Sequence, residues 1–152
     1  MSQSAPSASD LAEFRAEVSA WLEQHKPADP GFLLPQTFME VGSDQQLEFL
    51  REWQHKLWSN GYLGVHWPSQ YGGRDMHPAF QNEINRELRR QRTPITFNVI
   101  GLGWAGPLIL DIGTEADKAR YIKGILSAED IWCQGFSEPD NGSDLGNAQT
   151  RA

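Results

Sequence analysis

Apolar residues recur at helical spacing through most of this chain. Leu11, Phe14, Val18, Trp21 and Leu22 share one helical face, and Asp10 with Glu13 offers a capping box ahead of it. Pro27, Pro30, Gly31 and Pro35 then hold a loop. Ser43 with Gln46 opens a second helix whose stripe is Leu47, Leu50, Trp53, Leu57 and Trp58, and Gly61 ends it. Pro78 suits the first turn of a third helix, with Phe80, Ile84 and Leu88 as its apolar line. Thr114 caps another, whose core face is Tyr121, Ile122, Ile125 and Leu126.

Three stretches break the pattern. Tyr62 to Gly73 is rich in Gly and Pro, so it is a loop, but its aromatic content predicts that it packs on the core. Pro94 opens an apolar segment through Leu110, interrupted by Gly101, Gly103, Gly106 and Pro107; it reads as buried helix with a break. From Ile131 the spacing changes to that of a strand, and Pro139 to Gly146 reads as a turn. The expected fold is therefore mainly α. A tail at 1–9 is expected to be disordered and 10–128 to form a helical bundle. Residues 129–152 then hold the first strand or strands of an incomplete β domain.

Composition narrows the class. At 152 residues, with six Trp and seven Phe, the chain can build one real core. Mean hydropathy is -0.54 and no apolar run is long enough to span a bilayer. The start has no apolar h-region and no Arg, so no signal or transit peptide is visible. Cys133 is the single cysteine, which excludes an internal disulfide and suits a reducing, cytoplasmic setting. A net charge of -7 argues against nucleic acid. The basic excess sits on Arg86, Arg89, Arg90 and Arg92; a solvated helix face is the plain reading, a phosphate or partner-subunit contact the sharper one.

The most informative stretch is Trp132-Cys133-Gln134-Gly135-Phe136-Ser137-Glu138-Pro139-Asp140-Asn141-Gly142-Ser143-Asp144. It resembles the flavin-binding signature of the acyl-CoA dehydrogenases, (S/T)-E-P-x-x-G-S-D. Gly61-Tyr62-Leu63-Gly64 with Trp67-Pro68-Ser69-Gln70-Tyr71-Gly72-Gly73 is similar to an early loop of that family. Gly113-Thr114-Glu115-Ala116-Asp117-Lys118 with Arg120-Tyr121 is similar to one of its helix starts. The three motifs stand in family order.

The resemblance implies a helical domain feeding a β domain, FAD as cofactor and an acyl-CoA substrate. It implies that Gln134, Phe136 and Ser137 face the flavin ring. Gly142 and Ser143 would let backbone N–H groups approach the FAD pyrophosphate, with φ at Gly142 expected to be open to positive values. Ser143 would also meet the acyl-CoA thioester arm. Phe97, Ile100, Leu102 and Trp104 become candidates for an acyl-tail pocket, against plain core. In the family the catalytic carboxylate comes later than residue 152, so no catalytic residue is expected here, and the chain is expected to be inactive alone. The full-length protein is expected to form a homo- or hetero-oligomer; the electron acceptor is unknown.

Other chemistries are weaker. Gly101-Leu102-Gly103-Trp104-Ala105-Gly106 is a formal G-x-G-x-x-G, but Pro107 to Ile112 is too short for the crossover helix of a dinucleotide fold. A Rossmann-type NAD protein is thus a lesser alternative. A non-catalytic helical binding or assembly subunit is the other. His25, His55, His66 and His77 are scattered without ligand spacing, so no metal site is expected. Cys133 reads as a small buried hydrophobe and Glu138 as a turn device rather than a base.

Overall fold

The computed structural model describes residues 4–140 and 142–151. Five α-helices carry the fold: α1 (Ala8–His25), α2 (Asp44–Ser59), α3 (Pro78–Arg90), α4 (Gly106–Ile112) and α5 (Glu115–Ser127). A π-helical turn, Gly101–Ala105, runs directly into α4. Short 3-10 turns sit at Phe38–Glu40, Ser69–Tyr71 and Leu145–Asn147.

Each helix begins where its cap places it. Ser43 accepts the Gln46 N–H at the head of α2. Thr114 and Asp117 form a reciprocal capping box on α5. His77 caps α3 ahead of Pro78 by accepting the Ala79 N–H. For α1 the sequence expectation shifts. Ser7, not Asp10, is the N-cap, and Asp10 is the third helical residue that reaches back to it. The Ser7–Asp10 pair outcompetes Asp10–Glu13 because it satisfies donors at both ends of the box. Part of the expected disordered tail, residues 1–3, lies outside the described residues.

At the end of α2, Gly61 adopts φ +77, and Tyr62 N–H returns to the Leu57 carbonyl at 2.8 Å. That is a Schellman closure, which turns the chain into the aromatic loop. The loop packs as expected: Tyr62, Leu63, Val65 and Trp67 are buried. They join Val18, Leu22, Leu57, Ile84, Ile122, Ile125 and Leu126 in one core. Each fully buried Leu or Ile contributes about 1.5–3 kcal/mol of transfer free energy. α1 packs on α3, and α2 and α4 on α5. Phe14 meets Phe80 edge-on at 5.0 Å across the first pair.

Two expectations are overturned. The segment after Pro94 is not a buried helix with a break. Helix starts at 99 and passes through the π turn, where Gly106 N–H reaches the Gly101 carbonyl. Pro107 takes an early position of α4, where it needs no donor, so nothing breaks. One side packs inward while Trp104, Leu108 and Ile112 stand exposed. Second, no strand occurs among the described residues, although one was expected from Ile131. Residues 131–136 run without regular structure because a strand exists only through a paired neighbour.

Candidate functional site

The signature segment leaves the helical domain through a sharp, well-anchored exit. α5 ends at Ala128, which is buried and left-handed at φ +61. Asp130 N–H then bonds back to the Gly124 carbonyl at 3.0 Å. The anchor is a buried pair of amides. Gln54, on the apolar face of α2, donates through Nε2 to the carbonyls of Ile125 (3.0 Å) and Leu126 (3.3 Å). Asn98, 1% exposed, donates through Nδ2 to the carbonyls of Ile125 (3.1 Å) and Asp130 (2.9 Å). Its Oδ1 accepts the Trp132 N–H at 3.1 Å. The Trp132 ring meets Tyr121 edge-on at 5.5 Å. Sequence reasoning missed both amides. Asn98 carried a signal, a polar residue inside the apolar run Ile95–Ile100, which must find partners when buried; Gln54, between Trp53 and His55, carried none.

Beyond Trp132 the chain projects outward. Gln134, Phe136, Ser137, Gly142 and Ser143 are all exposed, Phe136 at 82%. Among the described residues, no hydrogen bond engages Gln134, Gly135, Phe136 or Ser137. The geometry brings Ser137 and Gly142 together: a Cβ on Gly142 would lie 3.6 Å from Ser137 Oγ. The turn is closed by Glu138. Its carboxylate accepts the N–H groups of Gln149 (2.8 Å) and Thr150 (2.6 Å) and the Thr150 hydroxyl. Asn141, within the signature, lies outside the described residues. Cys133 is exposed rather than buried, since no second sheet layer covers it.

The formal G-x-G-x-x-G is a packing device. Its last glycine, Gly106, lies against the Trp67 ring, and its first, Gly101, against the Asn98 carboxamide. A strand–loop–helix is absent there among the described residues, so the dinucleotide reading is set aside. The four tail-pocket candidates separate. Phe97 is core, beside Leu50 and Ala128, Ile100 is half-buried outside the cavity that Leu102 lines, and Trp104 faces solvent. Leu102 does line a cavity of about 260 Å³, with Gly64, His66, Trp67, Thr96 and Val99. His66 Nε2 accepts the Trp67 indole N–H at 3.1 Å. Desolvation holds the His66 imidazole below its ordinary pKa, so it is neutral in that wall. Among the described residues no cluster of His, Cys, Asp or Glu could hold a metal ion, and no helix is long and apolar enough to cross a membrane.

Residues 10–129 match the family model for the acyl-CoA dehydrogenase N-terminal domain. The chain belongs to the acyl-CoA dehydrogenase family. It is 33% identical, over 94% of its length, to the acyl-CoA dehydrogenase IpdE1 of Mycolicibacterium smegmatis. It is 28% identical, over 92% of its length, to a mitochondrial isovaleryl-CoA dehydrogenase of Pongo abelii. It covers 36% and 31% of those two proteins, so it spans about a third of the length of these relatives. Among solved structures, a steroid acyl-CoA dehydrogenase described as Tcur3481-Tcur3483 superposes with a TM-score of 0.66 at 32% identity. That likeness covers 96% of this chain and 36% of that one. The helical domain seen here is thus the family's amino-terminal domain.

Proposed function

We propose that this chain is the amino-terminal portion of an FAD-dependent enzyme that introduces a double bond between Cα and Cβ of an acyl-CoA thioester. The observation that carries the reading is the unpaired, solvent-facing run Gln134–Ser137, held at a fixed exit by Asn98. Free backbone N–H groups beside a short hydroxyl are the donor set that an isoalloxazine edge requires. When bound, the flavin supplies the acceptor for a hydride from the β-carbon, as a carboxylate takes the α-proton.

The residues of this chain then have distinct tasks. The Gln134 to Ser137 backbone and the Ser137 hydroxyl donate to the flavin edge, where negative charge develops on reduction. Phe136 covers the ring. Gly142 keeps side-chain bulk away from the pyrophosphate, and Ser143 contributes a donor there and toward the thioester arm. The helical domain places these groups and walls the acyl tail through Leu102. No residue here is assigned the role of base or of metal ligand. The segment needs the remainder of the flavin site to act, so the 152 residues are inactive alone. The full protein is assigned to the cytoplasm and to an oligomer.

The test is anaerobic. The whole protein is purified, its flavin quantified, and its absorbance followed as acyl-CoA thioesters are added without oxygen. Bleaching of bound FAD by an acyl-CoA supports the reading. A full-length protein without flavin, or with flavin that no acyl-CoA reduces, overturns it.

A further inference from the structure

The cavity beside Leu102 does not stand alone. A larger one, about 780 Å³, lies between the loop at Leu34–Phe38, the end of α3 and residues 92–99. Asn85, Thr96 and Val99 line both cavities, so they share a wall. Leu34, Phe38, Leu88 and Ile95 give the larger one an apolar patch, beside the polar side chains of Gln36, Thr37, Thr93 and Thr96. Two cations also line it, Arg89 and Arg92, and no Asp or Glu does.

The pairing of the four arginines at this end of the chain decides what that means. Arg86 binds Glu83 at 3.4 Å and Arg90 binds Glu87 at 2.7 Å, so those two charges are neutralised locally. Among the described residues, the guanidinium groups of Arg89 and Arg92 have no ion pair or hydrogen bond. Arg89, near the end of α3, and Arg92, in the turn after it, thus bring two unpaired cations to the lining of one cavity of mixed polar and apolar character. A guanidinium recognises a carboxylate through two parallel N–H donors. The combined volume class is that of a drug-sized ligand rather than a short aliphatic chain.

Resting on the acyl-CoA reading above, we propose that the acyl group is bulky and carries a carboxylate at its far end. Its body passes from the Leu102 cavity over Thr96 and Val99 into the larger one, where Arg89 and Arg92 hold the carboxylate. The apolar patch of Leu34, Phe38, Leu88 and Ile95 beside the two arginines fits an acyl body that ends in a carboxylate.

The test uses the whole, flavin-loaded protein and two sets of acyl-CoA thioesters of matched length, one unsubstituted and one with a terminal carboxylate. Arg89→Gln with Arg92→Gln should lower kcat/KM for the carboxylated set by about tenfold or more, and change the unsubstituted set by about twofold or less, as loss of a charge-assisted contact requires. Thr96→Trp, which narrows the shared wall, should penalise bulky acyl groups and spare butyryl-CoA. Calorimetry with a non-oxidisable thioether analogue carrying the same carboxylate reads binding without turnover. Arginine-dependent binding of that analogue supports the proposal even if no acyl-CoA reduces the flavin, a result that would sink only the function above. An equal loss for both thioester sets assigns the arginines to the CoA phosphates and overturns the proposal. So does unchanged discrimination in the double variant.

Discussion

The Asn98 carboxamide oxygen accepts the Trp132 N–H at 3.1 Å across 34 positions of sequence. One side chain therefore ties the loop before α4, the end of α5 and the first residues of the signature segment. Asn98→Ala should leave the Asp130 carbonyl and the Trp132 N–H without these partners in a part-buried setting, while the Ile125 carbonyl keeps its bond from Gln54. We expect a loss of about 2–4 kcal/mol, since each stranded buried group costs about 1–3 kcal/mol and some regain water. Urea denaturation measures the loss, and hydrogen exchange should show the Trp132 amide opening well before α2. Unchanged protection at Trp132 would mean that the segment is held by its ring contact with Tyr121 instead.

Stability should fall at both ends of the pH range, for separate reasons. The Arg15 guanidinium, 2.5 Å away, holds the Glu83 carboxyl below its ordinary value of 4.5. A depressed carboxylate stabilises the fold above its unfolded pKa, and that contribution disappears as pH falls through the folded value. Arg15→Gln should therefore flatten the acid limb. On the alkaline side, burial and then the hydrogen bond to Glu17 push the Tyr62 phenol from 10.0 up to about 12. A raised group stabilises below its unfolded pKa, so the loss runs from pH 10 upward to about 12. Tyr62→Phe should remove that limb. Midpoints of chemical denaturation across the pH range check both; identical slopes in parent and variants would refute the assignments.

The helices were legible because their caps and stripes are local. Ser43, Pro78 and Thr114 announce three of the starts, and Gly61 ends α2 for a reason visible in its φ of +77. The apolar stretch around α4 was misread because spacing reports which residues are greasy, not which face is covered. Trp104, Leu108 and Ile112 keep helical periodicity yet stand on the uncovered side. The strand was misread for a related reason: pairing needs a neighbour, and an apolar run cannot reveal whether one is present. The signature was legible as a string, but its anchor was not. Gln54 and Asn98 lie 44 positions apart, and no local pattern links them to each other or to Trp132.

A polypeptide of residues 1–152 should bind FAD weakly or not at all. Its exposed Gln134–Ser137 run is only one proposed wall of the flavin site, and binding has to overcome the cost of ordering both loop and cofactor. Fluorescence titration with free FAD should show no saturation in the micromolar range. Copurification of the polypeptide with stoichiometric yellow flavin would show that this segment holds far more of the site than one wall.

Gly142 separates folding from cofactor binding more cleanly than any other position in the signature. An added Cβ would meet Ser137 Oγ at 3.6 Å, an ordinary contact. Gly142→Ala and Gly142→Val should thus leave the thermal midpoint of the flavin-free protein nearly unchanged. In the whole protein they should still empty the flavin site, Val more than Ala, because the bulk projects where the pyrophosphate backbone must approach. Ser137→Ala makes the contrast. It removes one hydrogen bond to the flavin, worth about 0.5–1.5 kcal/mol. It should retain flavin, lower the flavin's reduction potential and slow anaerobic reduction modestly. Flavin content per subunit and reduction rate, measured on the same preparations, resolve the two effects. If Gly142→Val keeps full flavin and reduces normally, the Gly-Ser-Asp turn does not cradle the cofactor. In that event the roles given to Gly142 and Ser143 are wrong, whatever Ser137 does.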